Sequence, residues 1–541
     1  MLNKNAKKEH ALLIAIFIVF VFLRLFSHSH YFFVSGDQGK YLGAAENFPD
    51  NVLFNKQLLL SQRPLYSYLI HFMGLFFEDH IAGMVISLLS AAVTFIIVYK
   101  LSIFISGNKQ IAFFALILFS ISSIFIGMSS NVFKESLSTM LILATIYNYI
   151  KFLKLNSFPD MVYSSIFGIL SGFASDYSLF LIPSLIVIYC FFKGKTRLWV
   201  AAIPLLIVIL AYSSWLRVRM ITYMSHDYFP AAWDGTVVRT EEWGLRQLIS
   251  DHYFPEMEKY VPFGISLDPL HYVYPVLYMA DLVIAPWPDG LRFSTIGTLF
   301  SKEFVLQLLI YLLLFIFAFY SVCSMTFRVI RKKSWHDSVL LTLLLFLIFL
   351  VPLHQKIVST RYTLTSIIFL FILISYGLYE IMRRFRLESA HRNLISLIIV
   401  LLLVYLPFYY LNSPYFIFSK EKIVQGHKAA EFLNQLPKDG VMAQIGYTPE
   451  LAYLSSKRVI ALAINPEDMM KIVDMFGINY FVYGESYYIP YSKSADGSRI
   501  INYDAIKYLA EHPEQFRLIK VIEETYPWGE TDHFYVYELV K

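Results

Sequence analysis

The sequence predicts an all-α polytopic membrane protein with about eleven transmembrane helices and a small α/β domain at its C-terminal end. Of its 541 residues, 57% are hydrophobic and only 16% are charged, whereas a soluble domain carries about 25% charged residues. Long apolar runs recur along the first 415 residues. Beyond them, Lys, Glu and Asp return at the density of a soluble domain.

The apolar segments approach the length of about 20 residues that a helix needs to cross the hydrocarbon core. They lie at 11–26, 81–105, 111–128, 135–153, 161–175, 178–193, 197–215, 303–327, 338–353, 362–382 and 393–411. The fifth and sixth are short and are joined by Ser175-Asp176-Tyr177. We interpret them as a hairpin of two spans, because one span over both would be too long; a single span is the alternative.

The basic residues of the short loops predict the orientation, because Lys and Arg concentrate on the cytoplasmic side. Alternate short loops carry seventeen of them: Lys4, Lys7, Lys8, Lys109, Lys151, Lys154, Lys193, Lys195, Arg197, Arg328, Arg331, Lys332, Lys333, Arg383, Arg384, Arg386 and Arg392. The opposite short loops hold only Lys40, Lys56, Arg63, Lys134, Lys356 and Arg361. We therefore expect a multi-pass protein of the cell membrane, with a cytoplasmic N-terminus and an extracytoplasmic C-terminal domain.

Composition also excludes some classes of function. The net charge of +5 is scattered over loops, and nucleic acid would need a basic face. Cys190 and Cys323 both lie in apolar spans, so neither a disulfide framework nor a cysteine metal site is expected.

The N-terminus resembles a secretory signal, but Leu23-Arg24-Leu25-Phe26 offers no small-residue cleavage site. We expect an uncleaved first span.

Three segments are expected outside the membrane: the loops 27–80 and 216–302, and the tail. This divides the chain into a transmembrane domain, 1–415, and an α/β domain, 416–541. In the tail, helical spacing covers Lys428–Leu436 and Pro466–Phe476, with a turn at Pro437–Gly440. Strands are predicted at Val441–Ile445, Val459–Leu462, Tyr480–Tyr483 and Phe534–Leu539. No glycine-rich nucleotide loop occurs in the tail.

The first outer loop contains two predicted helices. Gln38–Phe48 can form the first, with Asp37 in position to act as its N-cap. The second opens with Pro64 in its first turn. Its apolar residues at helical spacing are Leu65, Tyr68, Leu69, Phe72, Leu75 and Phe76. It is too short to span the membrane, so we expect it to lie in the outer interface.

The order of these features resembles the GT-C glycosyltransferases, which include the protein O-mannosyltransferases and the lipid A aminoarabinose transferases. The shared features are a first span, an acidic residue in the outer loop, a helix opening with Arg63-Pro64-Leu65, a long span and a second acidic position. The resemblance implies a membrane enzyme with a polyprenyl-phosphate-linked sugar as donor. It also implies that Asp37 is the catalytic base. Gln38 stands where many members carry a second acid, so the wider, less characterised branches are the better match.

The resemblance extends to later positions. Glu135 in Asn131-Val-Phe-Lys-Glu135 falls at the second acidic position, and Arg361-Tyr362 resembles the pair that begins a late span in these enzymes. The long outer loop with Ala285-Pro-Trp-Pro288 is similar as well. An acidic group at membrane depth is costly, which favours a functional role for Glu135. Pairing with Lys134 or capping of its helix is the alternative.

Sugar transfer from such a donor needs a base for the acceptor and cations for the departing phosphate. Asp37 is the candidate base, and Asp176 and Tyr41 are further candidates near the site. The candidate phosphate-binding residues are Arg63, Lys134, Lys356, Arg361 and Arg217. For each basic residue at the end of a span there is an alternative without a role in phosphate binding. Such side chains often extend to the membrane interface simply to keep their charge in water.

The expected partners are the lipid bilayer, a polyprenyl-phosphate-linked sugar and a glycan, lipid or protein acceptor. The first outer loop has no Asp-x-Asp pair, so a divalent metal is possible but disfavoured, and no cofactor is assigned. Metal ligands remain available in the long loop at His226, Asp227, Glu241 and Glu242.

Three alternative functions stay open: a polymerase or ligase acting on lipid-linked repeats, a lipid-linked sugar flippase or transporter, and an inactive accessory relative. Transport is disfavoured because no internal repeat is found.

Overall fold

The structure is a computed structural model, and it describes only part of the chain. The described residues are 4–30, 33–34, 37–46, 64–174, 181, 185–186, 188–189, 200, 202–211, 228–230, 237–239, 302–332, 364–384, 423–424, 426–444, 451, 453–461, 466–484, 503–525 and 531–540.

Up to residue 384, ten helices and three short strands have both ends described, apart from the helical residues 203–211. In chain order they are α1 Lys4–His30, β1 Phe33–Val34, α2 Asp37–Glu46, α3 Pro64–Gly74, α4 Asp79–Ser106, α5 Lys109–Ile121, α6 Ser123–Ser130, α7 Lys134–Leu155, α8 Phe158–Ala174, β2 Tyr228–Pro230, β3 Val237–Arg239, α9 Lys302–Lys332 and α10 Leu364–Arg384.

The described tail alternates helices and strands. Its elements are β4 Ile423–Val424, α11 His427–Gln435, β5 Val441–Ala443, β6 Val459–Ala461, α12 Pro466–Phe476, β7 Tyr480–Gly484, α13 Tyr503–Glu511, β8 Phe516–Thr525 and β9 Thr531–Leu539.

The chain divides into two compact units. Unit 1 comprises Met1–Ser29, Met84–Ser213 and Ile249–Phe416. Unit 2 comprises His30–Gly83, Ser214–Leu248 and Ile417–Lys541. The first outer loop and the tail therefore belong to the same unit.

Seven predicted spans coincide with described helices. The spans are 11–26, 81–105, 111–128, 135–153, 161–175, 303–327 and 362–382. Within the described residues, three segments are long and apolar enough to cross a membrane: Glu9–His28, Asp79–Ser106 and Lys134–Leu155. Only residues 203–211 of the span at 197–215 are seen as a continuous helix, and 338–353 and 393–411 lie outside the described residues. The count of eleven, and the choice of two spans at 161–193, therefore stay predictions.

The centre of unit 1 is formed by α7 and α10. Of the most apolar window of α7, 78% is buried, compared with 28% for α1. On α10, Ile368, Phe369 and Ile372 are fully buried. By contrast, α1 exposes Ile14 and Phe22. Exposed apolar side chains on a long helix are stable in contact with lipid, so this arrangement fits a bundle whose outer helices face the bilayer.

Ion pairs join the helix ends that carry the basic loops. The Nζ atom of Lys109 at the start of α5 lies 2.8 Å from a carboxylate oxygen of Glu9 in α1. Lys151 near the end of α7 pairs with Asp160 at the start of α8, at 2.7 Å. These contacts hold neighbouring helix ends together, as the alternating direction of successive spans requires.

The predicted span 111–128 is two helices rather than one. Ser122 is extended, with φ −65° and ψ 119°, and separates α5 from α6. Serine competes with the helix by bonding its hydroxyl group to nearby backbone, and Ser120 and Ser122 flank the last residue of α5. Ser120 Oγ donates to the Leu116 carbonyl at 2.7 Å. The break leaves carbonyl groups at the end of α5 that need other partners.

The tail forms a five-stranded sheet in the order β6-β5-β7-β9-β8. Strands β5, β6 and β7 are parallel, whereas β9 runs antiparallel to both β7 and β8. One apolar cluster packs α12 and α13 on the sheet, and another packs α11 on it. The predicted helices and strands of the tail are all present, with β5 and β6 seen over slightly shorter ranges. Strand β8 and helix α13 were not predicted.

Candidate active site

Helix α2 places the candidate base at its beginning. It runs from Asp37 to Glu46, so it begins one residue before the predicted start at Gln38. Nothing is described for the Asp37 side chain, so its role as N-cap or base stays a prediction. The following residues are packed inside unit 2: Gln38 is 5% exposed and Tyr41 is 1% exposed. Tyr41 therefore lies in the packed interior of the first loop.

Helix α3 contacts α2 at two places and α4 at one. The rings of Tyr41 and Tyr66 meet edge to face, with centroids 5.3 Å apart. His71 donates from Nδ1 to the carbonyl oxygen of Ala45 at 2.9 Å, which satisfies a carbonyl in the last turn of α2. The hydroxyl of Tyr66 donates to the Gly83 carbonyl at 3.0 Å and so connects α3 to α4. The first loop is thus held to the beginning of α4.

The apolar face of α3 and of the turn after it is exposed. Phe72 is 54% exposed, Leu75 70% and Phe76 79%, whereas Ser67 and Ile70 are buried. The predicted apolar face is therefore present in part, and the position of α3 in the membrane interface stays a prediction.

The second acidic position lies in the first turn of α7. Glu135 is 2% exposed and Lys134 is 6% exposed, so both are buried in unit 1. The preceding turn is fixed by the Ser87 hydroxyl, which donates to the Phe133 carbonyl at 3.2 Å. Ser136 Oγ donates to the Met128 carbonyl at 3.1 Å. The first turn of α7 thus carries an acidic and a basic side chain, both with little exposure.

A buried arginine that the sequence reasoning did not single out holds the α5–α6 break. Arg24 of α1 is 1% exposed. Its Nη1 donates to the carbonyl oxygens of Phe20 at 3.0 Å and Ser120 at 3.1 Å, and its guanidinium lies 3.6 Å from the Phe20 ring centroid. The signal in the sequence was one Arg inside an apolar span.

The next turn of α1 contacts the end of α6. The hydroxyls of Ser27 and Ser130 are 2.9 Å apart, and His28 Nδ1 donates to the Ser130 carbonyl at 2.9 Å. Ser130 directly precedes the turn that leads to Lys134 and Glu135. Within unit 1, α1 therefore fixes the segment that carries the second acidic position.

Five other candidates lie outside the described residues: Arg63, Arg217, Lys356, Arg361 and Asp176. The possible metal ligands of the long loop, His226, Asp227, Glu241 and Glu242, also lie there. In the described ranges no group of three or more His, Cys, Asp or Glu side chains could hold a metal ion.

Comparison with known proteins identifies the architecture. Residues 61–216, from the start of the α3 region through α7 and beyond, match the model of the dolichyl-phosphate-mannose-protein mannosyltransferase family. ArnT from Cupriavidus metallidurans, solved bound to undecaprenyl phosphate, superposes with a TM-score of 0.56 at 10% identity, covering 97% of each chain. The chain has the GT-C fold.

The GT-C fold of this chain is also similar to two structures from Archaeoglobus fulgidus. The oligosaccharyltransferase AglB, in complex with an inhibitory peptide and a dolichol-phosphate, gives a TM-score of 0.55 at 13% identity, covering 97% of this chain and 74% of AglB. The apo oligosaccharyltransferase gives 0.53 at 14% identity, covering 88% and 69%. No curated protein sequence matches this chain.

Proposed function

We propose that the protein is an inverting glycosyltransferase that moves a sugar from a polyprenyl-phosphate donor to an acceptor on the outer face of the membrane. The observation that carries the proposal is the similarity to ArnT over 97% of both chains, because that structure holds undecaprenyl phosphate. The family match over residues 61–216 supports the same class of donor. The acceptor is a glycan, a lipid or a protein.

The proposed reaction is a single displacement at the anomeric carbon. The acceptor oxygen or nitrogen forms a bond to this carbon while the bond to the phosphate oxygen breaks. The electron pair of the broken bond leaves with the polyprenyl phosphate. The acceptor proton passes to the carboxylate of Asp37, a contribution of about 10²–10⁴-fold in rate for general base catalysis.

Charge that develops on the leaving phosphate needs cations, which are most effective when fixed in advance. We assign this task to Lys134, Arg63, Lys356, Arg361 and Arg217, with Glu135 as the second acidic residue of the site. The burial of Lys134 and Glu135 supports this assignment, because two charged groups at a helix start are held there with little exposure to water. Asp176 remains a further acidic candidate.

The test measures transfer of radiolabelled sugar from polyprenyl-phosphate donors in membranes that contain the wild type, Asp37→Asn or Glu135→Gln. Each substitution removes a carboxylate at nearly constant size. Glu78→Gln is the matched control, because Glu78 belongs to the same outer loop and its side chain is 74% exposed. We expect at least a hundredfold loss for Asp37→Asn and a smaller loss for Glu135→Gln, at equal protein level.

Retained activity in Asp37→Asn would remove Asp37 from the role of base and leave it a helix cap. A loss in Glu78→Gln as large as that in Asp37→Asn would show that the assay reports folding rather than chemistry. No transfer from any polyprenyl-monophosphate donor would contradict the proposed function and favour the polymerase, transporter or accessory alternatives.

A further inference from the structure

The first outer loop and the tail are paired by a short parallel sheet within unit 2. Phe33 of β1 is opposite Ile423 of β4, and Val34 is opposite Val424. Strand β1 ends three residues before Asp37. Three residues of extended chain cover at most about 11 Å between Cα atoms. The position of β1 therefore limits where the start of α2 can lie.

Two residues of pairing cannot hold two segments together alone, since even a complete two-stranded hairpin is marginally stable. Strand β4 must therefore be fixed by the residues on its C-terminal side. Gly426 adopts φ +79°, a conformation that other residues rarely adopt. A Cβ atom on Gly426 would be 3.5 Å from a methyl carbon of Leu451 and 3.7 Å from the ring of Phe534. Gly426 thus packs closely against Leu451 and against Phe534 of β9.

The carboxyl group of Glu524 on β8 completes this attachment. It accepts hydrogen bonds from the backbone N–H groups of Gly426 and His427, which are donors without intrahelical partners at the start of α11. The neighbouring Lys428 donates from Nζ to the Glu523 carbonyl at 3.0 Å. Glu524 is 6% exposed. One buried side chain therefore connects the end of β4 to the five-stranded sheet.

We propose that Glu524 is a positioning residue: by binding Gly426 and His427 it fixes β4, which in turn sets the position of β1 and of the start of α2. This rests on the proposed function only where it concerns sugar transfer, because Asp37 is the residue that α2 presents. The placement of β1 by Glu524 can be measured without any transfer.

The experiment uses the full chain in membranes, with Cys190→Ser and Cys323→Ser as background. The pair Phe33→Cys and Ile423→Cys reports β1–β4 pairing through disulfide formation on mild oxidation, and the pair Val34→Cys and Ile423→Cys is the out-of-register control. Glu524→Ala removes the acceptor of the two N–H groups. Glu524→Gln is the matched variant, because its amide oxygen can still accept from them.

We expect the in-register pair to crosslink several-fold more than the control pair. Glu524→Ala should lower that yield at least threefold and lower kcat of transfer at least fivefold, with KM changed less than twofold. Glu524→Gln should restore both to within a factor of two of the wild type. If Glu524→Ala only displaces the start of α2, kcat falls while KM stays nearly unchanged. General unfolding would also lower the amount of protein in the membrane.

An equal crosslink yield in the wild type and Glu524→Ala would overturn the proposal. So would a lowered yield with unchanged kcat, or a failure of Glu524→Gln to restore either quantity. If the wild type transfers no sugar, the proposed function fails, and the crosslink yields still decide whether Glu524 positions β1.

Discussion

The Nη1 atom of Arg24 donates a hydrogen bond to the carbonyl oxygen of Ser120, 3.1 Å away. This bond joins α1 to the last turn of α5, where the break at Ser122 leaves carbonyl groups without helical partners. A cation at the C-terminal end of a helix also interacts favourably with the helix dipole. Arg24 thus compensates for the break in a span.

We expect Arg24→Leu to lower the free energy of unfolding by about 1–3 kcal/mol, the cost of leaving a buried carbonyl unsatisfied. Leu25→Ala is the control, since Leu25 is the next residue of α1 and is 47% exposed. Thermal denaturation of the purified protein in detergent measures the difference. Equal midpoints for the wild type and Arg24→Leu would contradict the assigned role.

The contact between α9 and α10 depends on Gly377. A Cβ atom at this position would collide with the carbonyl oxygen of Phe317 and with the hydroxyl of Ser321, and that hydroxyl bridges to the Leu373 carbonyl at 2.6 Å. Gly377→Ala should therefore destabilise the protein by about 1–3 kcal/mol through overpacking. Ser375→Ala loses only a bond within α10 and should cost less. The ranking is checked by thermal denaturation, and the reverse order would exclude this packing.

Tyr66 ties the first loop to α4 through its hydroxyl. Tyr66→Phe keeps the ring contact with Tyr41 and removes the hydrogen bond to Gly83, for an expected loss of about 1 kcal/mol. Tyr163→Phe is the control on an exposed tyrosine of α8. Hydrogen exchange of the α3 backbone should increase in Tyr66→Phe and stay unchanged in the control. Unchanged exchange in both variants would mean that the hydroxyl does not hold α3.

The tail should lose stability as pH rises through neutrality. Burial raises the pKa of Glu524 from its usual 4.5 to about 7, and the negative charge of Asp532 opposite it on β9 adds to this rise. The N–H groups of α11 and the charge of Lys428 oppose it. Because the folded state favours the protonated acid, its stabilising effect is complete below pH 4.5 and is lost as pH rises through about 7.

Pulse proteolysis of the full chain at several pH values measures this effect, with Glu524→Gln as the reference at each pH. The ratio of tail stability in the wild type to that in Glu524→Gln should fall between about pH 5 and pH 8. A ratio that is constant over this range, or that rises, would exclude Glu524 as the titrating group.

Much of the tail could be predicted because its residues follow simple periodicities. Val441, Met442 and Ala443 form a short apolar run that is fully buried, and Lys428–Leu436 has the helical spacing seen in α11. Strand β8 could not be predicted in the same way. It lies at the edge of the sheet, and its register shifts between Leu518 and Lys520, so the alternation of apolar and polar residues is interrupted.

The candidate site could be predicted in part. The sequence predicted helix starts close to Asp37 and Lys134, because capping and charge patterns are local. It did not predict the break at Ser122, since serine is tolerated in many helices and neither Gly nor Pro marks the position. The burial of Arg24 and the pairing of β1 with β4 depend on contacts between residues about 100 and 390 positions apart, which local patterns do not contain.

We propose a polyprenyl monophosphate as the carrier of the donor sugar, and product analysis of the purified protein tests this most directly. Purified wild type is incubated with polyprenyl-monophosphate sugars and membrane extracts, and mass spectrometry counts released polyprenyl phosphate and sugar on the acceptor. We expect the two products in equal amounts from the wild type and neither product above background from Asp37→Asn. Consumption of diphosphate-linked donors alone, or equal product from Asp37→Asn, would contradict the account.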